Sequence, residues 1–181
     1  MLNPNMPPEG EDMKEHIAKK YGPGVAKDFG EKSSSMYRAG KAIGIEFKKD
    51  RNIYPTVQAH SVIEYIKEEM GDNQKANDIM EELYKRYFEQ GQNINSVPVL
   101  QEVCEAFGIN DKELVKKVAE DPERHQKVFQ KDRMHKTRMN IRGVPFYIIE
   151  QQDGSTPIGF SGAQPPEAIA EYLQEAAGVE T

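Results

Sequence analysis

The stretch Gly143-Val144-Pro145-Phe146-Tyr147-Ile148-Ile149 is where the period of this sequence changes. Before it, apolar residues recur every three or four positions; within it they run together, β-branched and aromatic, which is the composition of a strand. Pro145 stands at the head of the run, where a strand tolerates a residue without an N–H. Gln151 to Thr156 is polar and contains Asp153-Gly154, and Ile158 to Phe160 is apolar again. The segment therefore reads as a β-hairpin with a long loop. Gln164-Pro165-Pro166-Glu167 then opens a terminal helix, with Ile169, Tyr172, Leu173 and Ala176 on its inner face.

Everything upstream reads as helix and loop. Asn3 to Gly10 holds three prolines, which fix backbone angles and remove donors, so this lead-in is not helical. Met13, Ile17 and Tyr21 recur every four residues and predict a helix over 11–21, stopped by Gly22-Pro23-Gly24. Val25 to Ile43 predicts a second, weakened at Gly30 and at Ser33-Ser34-Ser35 and ended by Gly44. A polar loop follows through Pro55. Thr56 is placed to cap the next helix, whose stripe is Ala59, Ile63 and Ile66, with Gly71 at its end. Residues 73–89 carry a wide apolar face of Ile79, Met80, Leu83, Tyr84, Tyr87 and Phe88. Ser96 caps a helix with Pro98 in its first turn. Asp111 begins a short one, and Asp121-Pro122 a long basic one reaching about Met139. A single hairpin beside so many helices needs further strands or a packed helix to be stable. It looks like part of a larger sheet.

Composition sets limits. The chain has 181 residues and a net charge of −6, which argues against general nucleic-acid affinity. Leu, Ile, Val and Phe make up about a fifth of it, near the level where folding becomes marginal, so a polar protein with a modest core is expected. No apolar run approaches the roughly 20 residues that span a bilayer. The opening residues lack the basic flank and apolar run of a secretory signal, which leads to the expectation of a cytoplasmic protein. Residues 124–142 hold seven Lys or Arg and a single acid, Asp132. Without interleaved aromatics this reads as a solvated helix face, not a nucleic-acid patch. His16, His125 and His135 show no paired metal-ligand spacing, and no P-loop or nucleophile elbow occurs. The one cysteine, Cys104, excludes an internal disulfide cycle.

Four segments carry a family resemblance: Leu2-Asn3-Pro4-Asn5-Met6-Pro7-Pro8-Glu9-Gly10, Ala59-His60 at a helix start, Gly143-Val144-Pro145-Phe146, and Ser161-Gly162-Ala163-Gln164-Pro165-Pro166-Glu167. In order and spacing they resemble the DsbA-like thioredoxin-fold oxidoreductases, and within them the FrnE-type branch, over essentially the whole chain. The resemblance implies an α/β protein, mostly α as present: an incomplete thioredoxin-like fold with a large helical insert, a C-terminal hairpin and a last helix. Residues 1–10 would be an extended lead-in, 11–139 the insert and flanking helix, and 140–181 the C-terminal part of the thioredoxin-like domain. Family members begin with a strand, a Cys-x-x-Cys turn on a helix N-terminus and a second strand. The resemblance places Met1 after that segment, so this chain is expected to be truncated before its cysteine pair. In such enzymes the helix N-terminus makes the first cysteine a thiolate and the second resolves the mixed disulfide. Cys104 shares a helical face with Val97, Leu100 and Phe107, so it is expected to be a small buried hydrophobe instead.

The resemblance also implies a substrate side. Pro145 would follow a cis peptide bond, feasible because the trans preference before proline is small, and Val144 would offer backbone groups to an extended substrate. His60 matches a histidine that follows an Asn-Thr turn in the family; here the turn is Tyr54-Pro55-Thr56, with Pro55 in place of the asparagine. The expected function is that of a disulfide-oxidoreductase relative with no catalytic residue of its own and no independent thiol–disulfide exchange. Its substrate would be a thiol or peptide, with no cofactor, metal, nucleic acid or membrane involved. One alternative is a non-catalytic binding protein using the Val144-Pro145 loop and an open sheet edge, with a second copy or a strand-donating partner filling that edge. Another is a glutathione-dependent isomerase, whose serine would lie in the same missing segment, so Ser33 to Ser35 is no substitute.

Overall fold

The computed structural model describes residues 3–29, 35–151, 154 and 156–178, the side chains of residues 28 and 29 excepted. Met1, Leu2, Gly30, Ser33, Ser34 and Asp153 lie outside the described residues. The chain divides into two compact units, residues 2–130 and residues 131–181.

The first unit is built of helices, each bounded by local chemistry. Helix α1 spans Met13–Tyr21, two residues later than its apolar repeat suggests. Glu11–Asp12 instead forms a short strand, β1, and Asp12 caps the helix by accepting from the Glu15 N–H at 3.0 Å. Gly22 closes α1 with φ 94°, and Pro23 opens α2, Pro23–Phe29, at once. The expected stop signal thus works as an end and a beginning, since proline's fixed φ suits a first helical position. Helix α3 spans Ser35–Ala42. Strand β2, Asn52–Ile53, pairs antiparallel with β1 in the register Glu11↔Ile53.

Four helices then make the main core: α4 Val57–Glu68, α5 Asn73–Phe88, α6 Val97–Ala106 and α7 Lys112–Ala119. Asp72 and Asp111 cap α5 and α7, accepting from the N–H groups of Lys75 and Leu114 at 2.9 Å. Thr56 and Ser96 occupy cap positions but make no side-chain cap bond. Near α4's start the Gln58 N–H goes to the Asn95 side chain at 2.8 Å. Ile66, Ile79, Leu83, Leu100, Val103 and Cys104 are fully buried where these helices meet. The apolar face of α5 is narrower than its sequence suggests, because Tyr84 is 53% exposed. Helix α8, Pro122–Arg138, follows an Asp121 cap. Its Arg124 pairs with Glu69 and lies 5.1 Å over the Tyr65 ring.

In the second unit β3, Phe146–Ile149, pairs antiparallel with β4, Ile158–Ser161, in the register Phe146↔Ser161 to Ile149↔Ile158. Helix α9, Pro166–Ala176, packs on the face that carries Tyr147 and Phe160. The Phe160 ring is sandwiched, 4.9 Å from Tyr147 and 4.5 Å from Tyr172, nearly parallel to both. Leu173, expected on the inner face of α9, is exposed. A two-stranded sheet is too narrow to cover that position.

No helix among the described residues is long and apolar enough to cross a membrane.

Candidate functional site

The loop before β3 is held by the segment after β4. The Gly162 N–H donates to the Pro145 carbonyl at 2.9 Å, and Gly162 has φ 83°, a left-handed conformation that a side chain would strain. The Val144–Pro145 peptide bond is cis. Pro145 has no N–H and its carbonyl is engaged, so the backbone groups left for a ligand belong to Val144, whose residue is 66% exposed. Phe146 turns its ring over Gly159, where an added Cβ would stand 3.4 Å from the ring edge. That glycine lets the ring lie flat against the hairpin and steadies the first residue after the loop. Gly162 and Gly159 were not singled out as site residues in the sequence, although Gly162 falls inside one of its motifs.

The bond between Gly162 and Pro145 also fixes the direction of every backbone group in β3. In an antiparallel ladder, opposed residues alternate between bonded and non-bonded pairs. With 145/162 a bonded pair, 147/160 and 149/158 are bonded and 146/161 and 148/159 are not. The N–H and C=O of Phe146 and Ile148 therefore point away from β4. Among the described residues nothing hydrogen-bonds to them.

His60 belongs to the helical unit, on the second turn of α4, where its backbone N–H donates to the Thr56 carbonyl at 3.0 Å. Val144 and Pro145 belong to the other unit. His125 donates from Nε2 to the Ala119 carbonyl at 2.6 Å, closing the C-terminal end of α7. Among the described residues no group of three or more His, Cys, Asp or Glu could hold a metal.

Cys104 sits in the α6 face that packs into the core and is 1% exposed. Burial pushes its thiol from 9.0 up to about 11, because an apolar surround penalises the thiolate. Burial and the raised pKa both oppose nucleophilic attack by this thiol in the folded chain. Ellman's reagent at pH 8 should label the native protein at least about a hundredfold more slowly than the urea-unfolded protein, from the two-unit rise alone. Comparable rates in the two states would place Cys104 outside the core.

One buried group was not legible in the sequence. Arg51, 6% exposed, lies 5.4 Å from the Tyr87 ring and 5.2 Å from the Phe88 ring and donates from Nη1 to the Lys48 carbonyl at 3.0 Å. Its Nε has no partner among the described residues. Burial raises the Tyr87 phenol above its usual range, and the Arg51 charge offsets part of the rise. Cation–π contact with two rings, worth about 1–2 kcal/mol each when desolvated, accounts for this arginine as a structural clamp.

The comparisons with known proteins bear on the fold and the family. The family model of the DSBA-like thioredoxin domain matches residues 3–174. A crystal structure of a probable DsbA oxidoreductase from Streptomyces coelicolor superposes with a TM-score of 0.77 at 22% identity, over 98% of this chain and 73% of that one. At that identity the likeness speaks for the fold alone. No curated protein matches the sequence significantly. With a thioredoxin-like fold and a family match over nearly its whole length, the chain belongs to the DSBA-like thioredoxin domain family.

Proposed function

We propose that this chain is the substrate-binding part of a thiol–disulfide oxidoreductase domain, engaging extended thiol- or disulfide-bearing peptides at Val144 and performing no exchange of its own. The observation that carries the reading is the exposure of Val144 beside a Pro145 whose carbonyl is already bonded. An extended peptide can donate to the Val144 C=O and accept from its N–H as one more piece of strand. Disulfide exchange needs a thiolate and a second thiol to resolve the mixed disulfide. The chain has one cysteine, and burial keeps it protonated. Within the family we place it in the FrnE-type branch, on its leading and Ser161–Glu167 segments. A cytoplasmic location is part of the same reading and suits a single buried thiol. His60 is assigned a secondary role in substrate contact on the family resemblance alone.

Two measurements test this. Insulin reduction by the purified chain with dithiothreitol should not exceed the rate of dithiothreitol alone; turnover above it would overturn the inactivity. A fluorescein-labelled cysteine-containing peptide should raise anisotropy on titration, and Val144→Pro, which removes the N–H, should weaken binding about tenfold, the worth of roughly one hydrogen bond. Unchanged affinity in that variant would remove Val144 from the site.

A further inference from the structure

We infer that the pocket between α3 and the loop after it binds a free α-amino acid with an aromatic side chain. The cavity has a volume of about 230 Å³ and is lined by Tyr37, Lys41, Ile45, Glu46 and Phe47. Its apolar lining is held in place. Phe47 lies on α3 where Gly40 has no side chain: an added Cβ would stand 2.5 Å from the ring. The same ring meets Tyr37 edge-on at 5.8 Å and Phe88 at 5.9 Å. The Ile45 N–H donates to the Gly40 carbonyl at 2.8 Å, which ties the loop back to the helix. All the lining residues come from the one stretch 37–47, so a local fold of the chain builds the cavity.

The polar lining indicates the ligand. Tyr37 is 9% exposed, and its hydroxyl makes no hydrogen bond among the described residues. A buried hydroxyl without a partner carries a desolvation cost that a bound acceptor removes. Lys41 stands four residues on, one turn along the same helix face, so hydroxyl and ammonium are disposed to take one carboxylate together. On the loop side the Glu89 carboxylate accepts from the Glu46 N–H at 3.3 Å, so two negative charges gather there and suit an ammonium. Lys41 and Glu46 are exposed and, although they line one cavity, form no ion pair with each other. An α-amino acid carries both charges on one carbon, which these two side chains can reach together, while its ring takes the apolar lining. The volume limits the size, since it falls below the roughly 300 Å³ at which clefts begin to hold drug-sized ligands. No residue of the Val144 loop takes part, so the inference stands apart from peptide binding there.

Titration of the full chain with L-phenylalanine, followed by the amide resonances of Ile45 and Phe47, should give saturable shifts at millimolar ligand. Phenylacetate and phenethylamine each keep one of the two charges and should bind at least about tenfold more weakly, the effect of losing one charge-assisted hydrogen bond. Lys41→Met should weaken phenylalanine by the same factor and leave phenethylamine unchanged. Glu46→Gln should weaken phenylalanine likewise and leave phenylacetate unchanged. Both residues are exposed, so neither variant should disturb the fold. Tyr37→Phe keeps the ring and should weaken phenylalanine about fivefold, the effect of one neutral hydrogen bond. No saturable shift up to the solubility of phenylalanine, equal binding of the three ligands, or either charge variant binding phenylalanine like wild type would each overturn the inference.

Discussion

Phe160→Ala should unfold the C-terminal hairpin. Phe160 is the one buried hydrophobic side chain among the described residues of 131–181, and both Tyr147 and Tyr172 stack on it. Removing a buried phenyl costs about 3–5 kcal/mol, and each lost ring pair adds about 0.5–1.5 kcal/mol. The remaining interactions there, four-residue strands and an α9 with no buried residue, are small beside that loss. Hydrogen exchange should show it: protection at Tyr147 and Ile149, whose N–H groups bond across to β4, should collapse in the variant. Phe160→Tyr, which keeps a ring in the stack, should retain most of it. If protection at both amides survives Phe160→Ala, the aromatic sandwich is not what holds the hairpin.

The second large effect lies in the helical unit. Leu83 is 1% exposed and packs among α4, α5, α6 and α7. Leu83→Ala should destabilise that unit by about 3 kcal/mol, within the 2–5 kcal/mol range of leucine truncations, as the cavity relaxes only in part. In thermal melts that corresponds to a fall of roughly 10 °C. Leu83→Met, which conserves volume, should cost under about 1.5 kcal/mol. A melt unchanged by Leu83→Ala would mean that the four helices do not pack as described.

How much of this was legible in the sequence follows from the range of each interaction. Helices α4 to α8 were readable, because the apolar repeats of α4 and α5 and the Asp111 and Asp121 starts of α7 and α8 are encoded within a few residues, whereas the Asp72 cap of α5 went unread. Thr56 shows the boundary. Its place at a helix start is local information, but the Gln58 N–H is satisfied by Asn95, 37 residues away, which no local pattern encodes. The pairing of β1 with β2 has the same character: two residues each, joined across about 40 positions, too short for a period. Leu173 and Tyr84 were placed inward by periodicity that marks which face is apolar, not how much opposing surface exists to cover it. The hairpin was visible in the run from Gly143 to Phe160, and the family in four segments spread from Leu2 to Glu167. The role of Gly162 was not, since the bond to Pro145 depends on a register that only the paired strands define.

The Gln164 side chain on the Ser161 carbonyl has a consequence for aggregation. A unit that can grow a sheet on both sides is bifunctional, and bifunctional monomers polymerise. The Ser161 carbonyl, already taken by the Gln164 side chain, offers one acceptor fewer to a chain that would extend the sheet at β4, which makes that side a poorer template for a growing fibre.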